Sequence, residues 1–260
     1  MKNKSLLLAS ALLLFALVIG CKKENNISNT STPTGQNVAI ESQDYCSMVH
    51  DDIGIIHNQA LAYAFDKIQE DNLFAGLTDT PAIVALMTSL TTEYLNSYFN
   101  YTYTSQFTTP IVNIVMTNPY PTASFSGVFN QKMAVMMAEY YAADNVEEYK
   151  EFALEFLDDN IDLIPENEQV AFRSAVLVSF NSWEYWEENM ITWINEYNSQ
   201  NNLPPVSGKF DARACGRADI EGVVGGAIGG LGGGLVGVCL GAAFGGPIGS
   251  GVNAIFQCIW

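Results

Sequence analysis

The chain holds only two histidines, His50 and His57, with Asp51 and Asp52 between them. Residues seven apart share one face of a helix, so the two imidazoles and their neighbouring carboxylates suggest a metal or acid–base site. A working metal site needs three or four ligands, and neither HExxH nor a comparable spacing supplies them. The simpler reading has His57 and Asn58 hydrogen-bonded inside a bundle while Asp51 or Asp52 caps the helix. Ser47 lies near His50 but lacks the strand-to-helix turn that exposes a serine nucleophile. Gly225 to Gly229 and onward make no phosphate loop, since no lysine follows them. The inventory therefore predicts no catalytic residue, no metal and no cofactor. A non-enzymatic protein is expected.

Cysteine chemistry depends on the compartment, which the N-terminus addresses. Lys2 and Lys4 precede an apolar run from Leu6 to Ile19, the pattern of a secretory signal. The stretch Leu17-Val18-Ile19-Gly20-Cys21 resembles a bacterial lipobox. That resemblance implies removal of residues 1–20, acylation of Cys21 (palmitate among the chains), and a lipid-anchored protein of the bacterial cell envelope, at the outer membrane or cell surface. Residues 21–42, rich in Asn, Ser, Thr and Pro, are predicted to form a disordered polar tether. With Cys21 taken by lipid, Cys46, Cys215, Cys239 and Cys258 remain, and an even number in an oxidising compartment suggests two disulfides. A chain reversal near Ile248 would level Cys239 with Cys258 and leave Cys46 for Cys215. A reversal nearer Val236 would pair Cys215 with Cys258 instead. Gly245-Gly246-Pro247 is the stronger break, which favours the first.

These groups must be positioned by helices. Thr80 followed by Pro81 reads as an N-cap with proline at the first helical position, ahead of Ile83, Val84, Leu86, Met87, Leu90, Leu95 and Phe99 at helical spacing. Ile53 to Asn72, Val128 to Ala143, Val146 to Leu163 and a helix opening at Pro165 complete an acidic bundle over residues 43–202. Trp183, Trp186 and Trp193 with Tyr185 and Tyr197 form an aromatic band, read as core by default and as a ligand groove otherwise. Residues 106–126 read as a loop or a short extended piece around Ile111 to Val115, and 203–219 as a linker carrying Lys209, Arg213 and Arg217. The fold class expected is all-α: a tether, a helical bundle and a Gly-rich helix or helical hairpin.

Charge excludes one class of partner. From Glu41 to Glu196 there are 24 acidic residues against Lys67, Lys132, Lys150 and Arg173, a balance of about −20. Nucleic acid requires the opposite sign. The acidic runs Asp158-Asp159 and Glu187-Glu188 read as solvated faces, because no calcium-loop spacing accompanies them. The three basic residues before the tail would either meet lipid headgroups or pair with the acidic domain.

The tail, residues 220–260, is the other strong feature. Its last 39 residues carry no charge, and Gly225, Gly229, Gly233, Gly237, Gly241, Gly245 and Gly249 recur every fourth position. Gly222, Gly226, Gly230 and Gly234 form a second ladder. On a helix each ladder is a groove into which another backbone can sink. From Cys215-Gly-Arg-Ala-Asp219 through Gly251 the segment resembles glycine zippers of small bacteriocins and envelope proteins, which implies helix association in a membrane. It departs from the bacteriocins in ending a long acidic chain. Gly54-Ile-Ile-His57-Asn58-Gln-Ala-Leu61 also resembles a motif that opens envelope lipoproteins, without implying a function. Three roles follow: a zipper that inserts into a bilayer or self-associates, with Ile220 to Phe244 long enough for one crossing; a structural zipper packed on its own bundle; or, ranked last, an enzyme or solute binder using the aromatic groove.

Overall fold

A computed structural model describes residues 42–99, 125–208, 210–230 and 234–257. The signal segment, Cys21, the tether up to residue 41, most of the predicted loop, Lys209, Gly233 and Cys258 lie outside the described residues. So do the side chains of Cys46, His50, Asp51 and Cys239 and the surroundings of Gly229 and Gly237. Among the described residues there are seven α-helices and no strand: α1 (Ser42–Asp71), α2 (Thr80–Phe99), α3 (Gly127–Ala142), α4 (Val146–Asn160), α5 (Glu166–Gln200), α6 (Ala212–Gly230) and α7 (Gly234–Gln257). A short 3-10 turn, Ile161–Leu163, follows α4. All of them belong to one compact unit, Ala39–Trp260.

Local chemistry explains most helix ends. Asn145 caps α4 by accepting from Glu148 N at 3.0 Å, and Glu147 and Glu148 place negative charge at the positive end of that helix. Ser126 caps α3 through Phe129 N, and Glu168 of α5 then accepts from the Ser126 amide at 2.9 Å and from its hydroxyl at 2.6 Å. Two assignments differ from the sequence reading. Asp79, not Thr80, caps α2, accepting from Ala82 N at 2.8 Å; its carboxylate is free to turn back onto the helix where a β-branched threonine is stiffer. Helix α1 begins at Ser42, so Asp51 and Asp52 fall in its interior rather than at its N-cap.

Helix α5 is the post around which the bundle is built. Its 35 residues rise about 52 Å, and the apolar stripe from Val170 to Tyr197 is buried along its length. The aromatic band is core: Trp193 meets Phe65 at 5.0 Å and Trp186 at 5.5 Å between ring centres, and Tyr140 meets Tyr149 at 5.0 Å and Trp183 at 5.2 Å. At its C-terminal end α5 satisfies the backbone of the turn after α1. Gln200 accepts from Phe74 N and donates to Ile68 O, Asn201 accepts from Gly76 N, and Tyr197 donates to Leu77 O.

The glycine-rich tail forms an antiparallel hairpin, α6 against α7, packed on α1, α2 and α5. The reversal falls between Gly230 and Gly234. It was expected at Pro247, which instead lies inside α7. The proline removes one helical donor, but the backbone there is held by burial on every side. The reversal near Ile248 that favoured pairing Cys239 with Cys258 is therefore absent, and the pairing itself falls on side chains outside the described residues. Nor is Ile220 to Phe244 a single span, since the turn interrupts it. Helix α6 also begins within the predicted linker, which places Arg213, Cys215 and Arg217 on a helix. Cys215 is buried.

Within the hairpin, backbone meets backbone. A Cβ built on Gly222 or Gly226 would collide with the carbonyl of Gly245 or Gly241, and the reverse collisions hold equally. One turn further, a Cβ on Gly249 would stand 2.6 Å from Ala218 O. The second ladder on α6 thus faces the first ladder on α7, each four-residue step matching the other. Gly225 is also buried.

Substituting the seam therefore has a predictable sign. Gly226→Ala puts a methyl into a backbone carbonyl that no rotamer change relieves, and it should cost upward of about 3 kcal/mol. Gly127→Ala, in open space at the start of α3, should instead gain about 0.4–1 kcal/mol. Urea midpoints of the two variants against the parent check this; equal effects would remove the seam as the reason for the glycines.

Candidate functional site: a buried histidine and aspartate network

His57 lies on the buried stripe of α1 with Ile53, Ile56, Ala60 and Leu61. The matching stripe of α6 runs Ala212, Cys215, Asp219, Ile220, Val223 and Ala227, so Asp219 is a carboxylate at a core position. The two side chains meet. His57 Nε2 is 3.0 Å from Asp219 Oδ1, at 1% and 0% exposure, and the approach is off the N–H axis. Asp219 Oδ2 accepts a very short bond from the Ser182 hydroxyl and another from Trp186 Nε1 at 3.2 Å, both from α5. On the far side of the ring, Nδ1 is 2.9 Å from Asn58 Oδ1, and Asn58 Nδ2 donates to Asn181 O at 2.9 Å.

Bare backbone lets the network close. A Cβ on Gly246 of α7 would stand 2.8 Å from His57 Cδ2, and one on Gly54 would stand 2.8 Å from Leu177 O and run into the Asn181 side chain. A Cβ on Gly216 would strike the Tyr140 hydroxyl, which donates to Arg213 O at 3.3 Å. Burial pushes the Tyr140 phenol well above its ordinary range, with Tyr149 and then the Asp219 charge adding to the effect. The Tyr185 phenol is raised chiefly by burial and more weakly by Asp219, while the hydrogen bond from Trp193 opposes the rise.

Its chemistry follows from connectivity. A serine nucleophile needs its proton taken by a base that a third group orients. Here Ser182 donates to the aspartate, and the histidine stands on the opposite carboxylate oxygen. Ser182, His57 and Asp219 are all sealed from solvent. Among the described residues no group of three or more His, Cys, Asp and Glu side chains could hold a metal ion.

The predicted site residues scatter. His57 and Asn58 join the network, whereas Asp52 is exposed. Arg213 pairs with Asp211 at 3.2 Å, lies over the Trp183 ring and reaches the carbonyls ending α3, and Arg217 pairs with Glu221 at 2.7 Å. Sequence reasoning passed over Asp219, Ser182 and Asn181. The signal for Asp219 was its register: Arg217 and Glu221 fall off the apolar stripe of α6, and Asp219 falls on it.

No protein-family model matches the chain, and neither the curated proteins nor the solved structures contain a match to it. Function must be argued from the geometry.

Ser182→Ala removes one donor from a buried acceptor and should cost about 1–3 kcal/mol. The parent protein should also resist labelling by a fluorophosphonate probe. Labelling at Ser182 would overturn the reading of this network as non-catalytic.

Proposed function

We propose that this chain is a non-enzymatic envelope lipoprotein, tethered through acylated Cys21, whose acidic bundle is built around its own glycine hairpin. The observation that carries the reading is the use of the zipper inside the chain: Gly222 and Gly226 are filled by the carbonyls of Gly245 and Gly241. A groove so occupied is not offered to a second copy. Among the described residues no helix is long and apolar enough to cross a membrane. The balance of about −20 over Glu41–Glu196 also repels anionic headgroups, so the bundle would stand off the bilayer at the end of its tether. In this role the zipper makes a rigid core, and recognition falls to the helical surface.

A second reading keeps the zipper for the membrane. A hairpin with no charge after Glu221 and buried at each position from Gly241 to Gly251 whose burial is described has the composition shared by protein cores and bilayer spans. In that case the bundle sheathes a bacteriocin-like insertion element.

Two measurements separate them. The full chain grown with labelled palmitate should carry label and sediment with membranes, and Cys21→Ser should abolish both. A chain beginning at Lys22 should behave as a soluble monomer and leave dye trapped in liposomes. Unlabelled wild-type protein would remove the tether; dye release would transfer the proposal to the insertion reading.

A further inference from the structure

The hairpin carries one carboxylate on its buried stripe, Asp219, and α1 presents one imidazole to it. Proton placement between them follows from their neighbours. Asn58 is oriented by its amide nitrogen, which donates to Asn181 O. The atom facing His57 Nδ1 is therefore Asn58 Oδ1, and an amide oxygen only accepts. Nδ1 must carry a proton. On the other side, Asp219 Oδ2 takes donors from Ser182 and from Trp186; an indole N–H can only donate, so Oδ2 is an acceptor without a proton. Asp219 Oδ1 faces Nε2 at 3.0 Å, an arrangement that a proton on Nε2 satisfies.

We propose that His57 is held as an imidazolium and that its buried ion pair with Asp219 is the latch docking the glycine hairpin onto α1 and α5. Among the described residues of the neighbouring turns, no other cation relieves Asp219. Arg213 and Arg217 of α6 are committed to Asp211 and Glu221. Helix α5 contributes the neutral Ser182, Tyr185 and Trp186, α3 contributes the Tyr140 phenol, and α7 contributes the bare backbone of Gly246. Removing either charge leaves the other buried without compensation, which is worse than removing both. A purely apolar docking would show no such coupling.

The full chain in mild detergent tests this. In nitrogen-detected NMR at neutral pH, with His50→Gln used for assignment, both ring nitrogens of His57 should resonate as protonated. His57→Gln and Asp219→Asn should each raise amide exchange along α6 at least tenfold while leaving α4 unchanged. The double variant should exchange more slowly than either single one. A His57 ring with one bare nitrogen, or single effects that simply multiply in the double variant, would overturn the latch. Should Asp219→Asn fail to fold, the NMR result on the parent and the His57→Gln exchange still decide it.

Discussion

Contact between two bare backbones sets the architecture. Each glycine in a helix interior costs about 1 kcal/mol relative to alanine, so α6 and α7 are poor helices taken alone. They persist because the same missing side chains let the carbonyls of one helix sit where the Cβ atoms of the other would be. That approach multiplies dispersion contacts and aims Cα–H groups at carbonyl oxygens. It also imposes a register, because a glycine row interlocks only with another row at the same four-residue step. Everything packed on the hairpin inherits that register.

The polar network illustrates the inheritance. With Gly222 opposite Gly245, the α7 backbone at Gly246 comes against His57 while Asp219 comes against its Nε2. A slip of one helical turn, about 5.4 Å, would carry Asp219 away from Ser182, Trp186 and His57 together. An unpaired buried charge is among the costlier defects a core can hold. The apolar seam thus brings the helices together, and the carboxylate discriminates among the registers that glycine rows alone would tolerate. The aromatic cluster of α5 provides the rigid wall against which this choice is made.

Much of this was legible in the chain. The buried stripes of α2 and α5 follow the apolar spacing, and the helical class follows from them, because a period near 3.6 admits no strand. Asn145 and the glutamates after it mark a helix start by the same electrostatics in sequence and in structure. Failures were of a different kind. Asp79 and Thr80 are both acceptable caps, and the structure shows that it is the Asp79 carboxylate that reaches Ala82 N. Pro247 is a helix breaker by local rules, yet α7 runs through it within a stretch buried from Gly245 to Gly251. Asp219 reads as one of several charges beside a glycine tract until the opposing face of α1 is known.

Local chemistry written in the residues thus determined the helical class, the acidic exterior, the apolar faces and the rows of bare backbone at a four-residue step. Those properties depend on spacing along one element and on composition alone. What only the tertiary structure decided was the partner of each face: that the glycine rows close on each other inside one chain, where the hairpin reverses, and that Asp219 finds His57, Ser182 and Trp186. The Asp219 pairings join residues more than thirty positions apart, and no local period encodes them or the glycine pairings, because they exist only once separate helices compete for the same buried space.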